Sequence, residues 1–337
     1  MIKAKISLRM HPESICVSGR IQLRYEEDDW SLKMWVKQFS WFDMRSPLLL
    51  EGDALEEALG QKQAYKPHAT QSKSIGWVSP LGEGQALSVQ SGAYIWMCAR
   101  IDNKLLPANV VKEVLAEKLV EQEAMQGYPP TGKQRRLMKD EVTLDLLPKA
   151  FVVSKYVNVI VDTENQLLIL DVTSAAVKDA TLDLLRQTTG SLPLTHYIDQ
   201  RVSTSHVLKK WVSEPPAGVE IEPEYTLINP SDVGAKARLT GIDEEAVMGH
   251  LSQGMTVSQV MIQYQSQLKL QVSDQLDITK IKYLNIEEED KLEDPIAQKM
   301  AEFSLTAPYC SQVILSCKEW FPLEQQQVEE NHVEEPA

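Results

Sequence analysis

The sequence predicts an α+β fold in which mixed and antiparallel sheets carry packed helices. Three observations predict it. Two β-prone runs, FVVSKYVNVIVDT and QLLILDV within residues 151–172, read as antiparallel strands joined by Glu164 and Asn165. Residues 108–125 have helical periodicity, with Val110, Val111, Val114, Leu115 and Leu119 on one face. Alternating text returns in TVSQVMIQYQSQLKLQV and ITKIKYL, and a helical stretch over residues 295–320 follows it.

Taken in order, residues 1–33 show neither clean alternation nor helical periodicity, and they are expected to be an extension outside the main fold. From Trp35 an aromatic, β-prone run (WVKQFSWF) leads into GDALEEALG, where Asp53 is placed to cap a short helix carrying Leu55 and Leu59 on one side. SIGWVSPLGEG, anchored by Trp77, reads as a packed turn, and AYIWMCARI as a buried strand. Pro107 then starts the amphipathic helix of residues 108–125, which is expected to dock on the sheet with Lys112, Glu113, Glu117, Lys118 and Glu121 turned elsewhere.

After the breaker GYPPTG, a second helix over residues 133–147 opens with Lys133, Arg135, Arg136 and Lys139, the densest basic cluster in the chain. Beyond the 151–172 hairpin, Ser174 is placed to cap a helix through Leu185, and GSLP ends the unit. EPPAGVEIEPEY, with three prolines, reads as a linker. GAKARLTG reads as a loop in which Lys236 and Arg238 have easy access to a phosphate backbone. A short helix over residues 243–252 precedes the second sheet, and QQQVEENHVEEPA is expected to be a disordered acidic tail. The expected organisation is therefore an extension (1–33), an α+β region of two strand–helix units (34–213), a second α+β region (214–323) and a tail (324–337).

A net charge of −14 argues at first sight against a nucleic-acid partner, because phosphate binding needs Lys and Arg at the backbone. Location matters more than the total. Residues 286–337 hold thirteen acids and three lysines, leaving 35 acids against 31 bases in residues 1–285. No stretch of eighteen uncharged apolar residues occurs and residues 1–20 lack an apolar signal run, so a cytoplasmic protein with no membrane partner is expected. Cys16, Cys98, Cys310 and Cys317 have no zinc-type spacing, and Cys98 and Cys310 read as core residues.

Catalytic signatures are missing. The sequence contains no GxxxxGK[ST], no GxGxxG at a strand-to-helix turn, no GxSxG and no HExxH. His11, His68, His196, His206, His250 and His332 are scattered without metal-ligand spacing. The run Glu287, Glu288, Glu289, Asp290 with Glu293 and Asp294 reads as solvated charge, since contiguous acids diverge where metal ligands must converge. Trp77, Trp96 and Trp211 sit in apolar text and read as core, not as base-stacking platforms. No enzyme activity, cofactor or metal is expected.

Six strings, MWVKQFSWF, GWVSPLG, CARIDNKLLP, LLPKAF, VNVIVDTENQLLILD and LLRQTTGSLP, occur in an order and spacing that resembles the recombination-associated RdgC family over residues 34–323. The resemblance implies a ring-shaped homodimer whose basic inner wall surrounds double-stranded DNA with little sequence preference and restrains RecA-driven recombination, in the cytoplasm at the nucleoid. On that reading the phosphate contacts are Lys112, Lys118, Lys133, Arg135, Arg136, Lys139, Lys236 and Arg238. Phe151 matches a subunit contact, and Lys236 and Arg238 lie at the other junction of the ring. An acidic exterior is compatible with this, because the local field at the wall is what attracts phosphates. Two rivals stand beside it: an acidic regulator that contacts a recombinase directly without binding DNA, and a metal-dependent nuclease using the acids of residues 287–294. Here the family's first strand would start at Met34, and GYPPTG interrupts what is a longer charged helix in the family.

Overall fold

The chain divides into two units, Met1–Lys33 and Met34–Ala337. The structure, a computed structural model, describes residues 35–200, 204–241, 244–284 and 293–323, all in the second unit. The expected extension, the acidic tail, Cys16 and the acids 287–290 lie outside the described residues.

Strands β1 (Ser40–Met44), β2 (Lys73–Val78), β3 (Ser88–Ser91), β4 (Tyr94–Leu105), β5 (Phe151–Asp162), β6 (Leu167–Leu170) and β7 (Leu194–Thr195) form one sheet. Its order is β2-β4-β5-β6-β1-β7, with β3 also paired to β4. Strands β8 (Val219–Asn229), β9 (Asp232–Thr240), β10 (Thr256–Tyr264), β11 (Leu268–Ser273) and β12 (Ile278–Tyr283) form a second sheet in the order β12-β11-β10-β8-β9. The strand pairs of both sheets are antiparallel. The helices are α1 (Gly52–Gly60), α2 (Ala108–Gln126), α3 (Gly132–Leu146), α4 (Ala175–Thr189), α5 (Thr204–Trp211), α6 (Glu244–Ser252) and α7 (Pro295–Trp320).

The period-2 alternation of β4 and β5 assigns each side chain to a face. Ile95, Met97, Ala99, Ile101, Val157, Val159 and Val161 point to a core closed by Leu55 and Leu59 of α1 and by Leu182 and Leu185 of α4. Trp96 and Ile160 point the other way, into a core shared with α7 and the second sheet. α7 is thus sandwiched between the two sheets, which explains why buried residues such as Phe303, Ala307, Cys310, Val313 and Cys317 surround its axis. It starts where Asp294 accepts the Ile296 N–H at 2.9 Å and Pro295 occupies the first turn, whose amides have no helical partner in any case. Trp96 stacks on Phe303 with centroids 5.1 Å apart, and Ser311 donates to Asp162 at 2.6 Å. The segment before β1 extends the second sheet: the Phe39 and Ile278 backbones exchange hydrogen bonds of 2.7 and 2.9 Å.

Several sequence expectations need correction. The 74–84 turn is instead strand β2 at its start, because the backbone of residues 62–64 pairs with it: Ala64 N–H to Trp77 O is 2.8 Å and Trp77 N–H to Lys62 O is 2.9 Å. Gly76 is required there, since a Cβ would lie 2.5 Å from the Ala64 Cα. GAKARLTG is not a loop but most of strand β9, and the Pro-rich linker contains the first half of β8, its inner strand neighbour. The residue capping α1 is Glu51 in place of Asp53, and no side-chain hydrogen bond is made there. Finally, α2 does not dock on the sheet.

Candidate nucleic-acid interface

β4 and β5 pair along all twelve of their residues, from Tyr94↔Asp162 to Leu105↔Phe151. Twelve residues span about 40 Å, longer than α1 and α4, which cover one face of the sheet. The inner rows are therefore buried and the last rows leave the core. On the face where Ile101 and Val157 are still buried, Leu105, Phe151 and Val153 are 57%, 74% and 52% exposed. Val152, on the opposite face, is exposed as well.

α2 and α3 are built on the tip of this ribbon. Because the strands have already outrun the core, α2 finds no sheet to pack on; Val111 is its buried residue, and its partner is α3. Gly127, at φ 76°, ends α2 in a left-handed conformation that suits glycine. Thr131 then starts α3 with a capping box: Gln134 Oε1 accepts the Thr131 N–H at 2.8 Å and Thr131 Oγ1 accepts the Gln134 N–H at 3.4 Å. Across the two helices Lys118 Nζ meets Asp145 Oδ2 at 2.8 Å. Their hydrogen bond raises the lysine and lowers the carboxyl from their ordinary values.

That ion pair separates the predicted cations. Lys118 is engaged with Asp145, whereas Lys112, Lys133, Arg135, Arg136 and Lys139 are all exposed. At 100° per residue, Arg135, Arg136 and Lys139 fall within an arc of about 100° on α3, on the flank away from Glu141 and Asp145. Arg135 Nε also donates to Pro130 O at 3.2 Å, which ties the basic flank to the turn.

Lys236 and Arg238 stand elsewhere, on β9 at the edge of the five-stranded sheet, opposite Ile228 and Thr226. Being two residues apart, they share a face at about 7 Å spacing. The neighbouring strand β8 carries acids that neutralise cations from the far side of the sheet: Lys269 of β11 pairs with Glu222 at 2.7 Å, and Lys280 of β12 pairs with Glu224. The predicted cations thus form two groups on different elements, one on the helical arm and one on a sheet edge.

The buried groups are structural in character. Trp77, Trp96 and Trp211 lie in the core, and Trp77 Nε1 donates to Thr188 Oγ1 at 2.8 Å. Cys98, Cys310 and Cys317 are buried thiols; burial pushes Cys98 and Cys317 up to about 12 and raises Cys310 as well. Asp171 accepts from Asn158 Nδ2 at 3.2 Å, and burial pushes its carboxyl up to about 7. Among the described residues no group of three or more His, Cys, Asp or Glu is placed to hold a metal ion, and no helix is long and apolar enough to cross a membrane.

Comparison with known proteins adds the following. The family model described as "Putative exonuclease, RdgC" matches residues 34–324. The chain is similar to the recombination-associated protein RdgC of Bordetella parapertussis, with 30% identity over 262 residues, covering 76% of this chain and 87% of that protein. It is similar to the protein of the same name from Tolumonas auensis, with 30% identity over 282 residues, covering 81% and 93%. A third, from Pseudoalteromonas atlantica, is 27% identical over 303 residues, covering 87% of this chain and 100% of its own length.

Proposed function

This chain belongs to the RdgC family of recombination-associated proteins, and from that premise we propose that two copies close into a ring around duplex DNA. Lysine and arginine side chains grip the phosphates, no cofactor is needed, and the bound ring limits the access of RecA by occupying the DNA. The mechanism is occlusion at the nucleoid, without chemistry on the DNA.

The observation that carries this reading is the end of the β4–β5 ribbon. Leu105, Phe151 and Val153 make an exposed apolar cluster on one face of paired strands, with Leu105 directly opposite Phe151. Such a cluster on a soluble protein marks a contact surface, and a second copy of the same patch meets it under two-fold symmetry. α3 returns to the same ribbon end at its C-terminus and carries its basic flank toward the far turn of the α2–α3 arm, so joining two copies at the ribbon lets the arms present those cations to the enclosed space. Lys236 and Arg238, on the edge strand β9, supply the second junction and further phosphate contacts.

Duplex binding measured against salt tests this. Affinity should fall steeply, with a log-log slope of about −0.9 per phosphate contact, and should hardly depend on sequence. Charge reversal of Lys133, Arg135, Arg136, Lys236 and Arg238 should weaken binding on every duplex alike. Salt-insensitive binding refutes the ring. RecA inhibition that survives in a variant unable to bind DNA favours a direct contact with the recombinase instead. A second reading, DNA cleavage, is suggested by the family description; intact plasmid after incubation with magnesium or manganese is the expected result, and metal-dependent nicking would establish the nuclease.

A further inference from the structure

We propose that the outer end of the β2–β4–β5 ribbon is itself a phosphate-binding surface for the nucleic-acid backbone, built on Lys73 and Lys155 with Lys104 behind them. This rests on the DNA-binding reading above and adds a site to it that is separate from α3 and β9.

The register places the three lysines. Lys73 on β2 pairs with Asn103 on β4, which pairs with Val153 on β5, and Lys155 lies two residues further along β5 on the same face. Two strand spacings across and two residues along put the two lysines about 12 Å apart, enough to meet separate phosphates. Both are exposed: Lys155 stands directly opposite Ile101, the last buried residue of β4 on this face, and Lys73 lies one row further out. Lys104 is held at the back of the same end by the carbonyl oxygens of His68 and Ala69, each at 2.7 Å.

Like the basic flank of α3, and unlike eight other cations of the described residues, this end carries lysines with no paired carboxylate. Lys118, Lys178, Lys210, Lys269, Lys280, Lys318, Arg100 and Arg186 are each paired with a carboxylate. Among the described residues none of Lys73, Lys104 and Lys155 has a carboxylate within 4.0 Å. The chain segment beside them is acid-free: residues 58–82 contain Lys62 and Lys73 and no Asp or Glu, in a protein with 48 acids. That segment is strapped to β2 through Lys62 and Ala64, so its charge stays at the ribbon. Asp102, the acid on β4 at this level, is buried and bonded to Arg100 at 3.1 Å. Asp171 acts on Lys155 from within, but burial weakens its negative charge near neutral pH. A patch of like charges left uncompensated in an acidic protein is what a polyanion recognises.

The test is the salt dependence of binding to a fluorescein-labelled duplex of random sequence, between about 50 and 200 mM salt. For K73Q/K155Q the slope should shrink by about 0.9 for each lost contact, close to 2 per chain, while K73R/K155R keeps the native slope. K210Q, which removes an exposed lysine already paired with Glu214, should also keep it. A native slope in K73Q/K155Q, or an equal loss in K210Q, overturns the assignment while leaving DNA binding standing. If the unmodified protein shows no salt-sensitive binding, the DNA reading and this site fall together. Thermal unfolding of each variant should match the parent, since the substituted side chains are exposed.

Discussion

Replacing Phe151 by serine separates contact between copies from stability of the fold. Phe151 is 74% exposed, so its removal takes almost nothing from the core of one chain. A phenylalanine offers about 150–250 Å² for burial, so roughly 110–190 Å² remains to be covered by a partner. At about 25 cal/mol per Å² this amounts to roughly 3–5 kcal/mol per copy as a ceiling, before the ordering and desolvation costs of association. A loss of about 2 kcal/mol per copy is therefore expected, about 4 kcal/mol per dimer, equivalent to a dimer Kd roughly 700-fold weaker. Sedimentation equilibrium reads the Kd, and a urea melt reads the monomer. An unchanged Kd would show that the ribbon end is not a subunit contact. A large fall in monomer stability would show that Phe151 supports the fold, contrary to its exposure.

Three further outcomes are expected. Burial raises Asp171 from 3.8 to about 7, so the folded state binds this proton more tightly than the unfolded chain. The resulting stability is complete below about pH 4, is lost as pH rises toward 7, and amounts to roughly 4 kcal/mol at most; urea melts at pH 5 and pH 8 should differ for the parent and converge for Asp171→Asn. Asp162, itself buried, accepts the Glu164 and Asn165 N–H groups of the adjoining turn at 3.1 and 2.9 Å and the buried Ser311 hydroxyl at 2.6 Å. Asp162→Ala should cost about 2–3 kcal/mol, chiefly by stranding the buried Ser311 hydroxyl and loosening the turn, and Ser311→Ala about 1.5–3; a denaturation shift under about 1 kcal/mol for Asp162→Ala contradicts that account. A chain starting at Met34 should fold and bind duplex with native affinity, and failure of either measurement would make residues 1–33 part of the working protein.

Element types were legible wherever a period shows within a few residues. The alternation of residues 151–172 and the helical text of residues 295–320 reappear as the β5–β6 hairpin and α7. Errors arose where the deciding partner is distant in sequence. β2 contains Gly76 and ends near Pro80, which read as a turn; the glycine is there because Ala64 crosses its Cα. β9 has Gly234, Ala235 and Ala237 in place of large β-branched residues, and only its pairing with β8 makes it a strand. The helical periodicity of α2 was correct, but a period cannot say whether the apolar stripe meets a sheet or another helix.

The sequence alone determined the fold class, the basic cluster on α3, the core placement of Trp77, Trp96, Trp211, Cys98 and Cys310, and the resemblance that led to the family. These depend on composition, on periods of two or 3.6 residues, and on ordered strings, which are local properties. Only the tertiary structure decided which charges are spent. Lys118 is taken up by Asp145, twenty-seven residues away, and Lys280 by Glu224, fifty-six away, while Lys73 and Lys155 meet across three strands with no acid between them. Coulomb energy depends on distance in space, and sequence separation does not report it until strands and helices are in register.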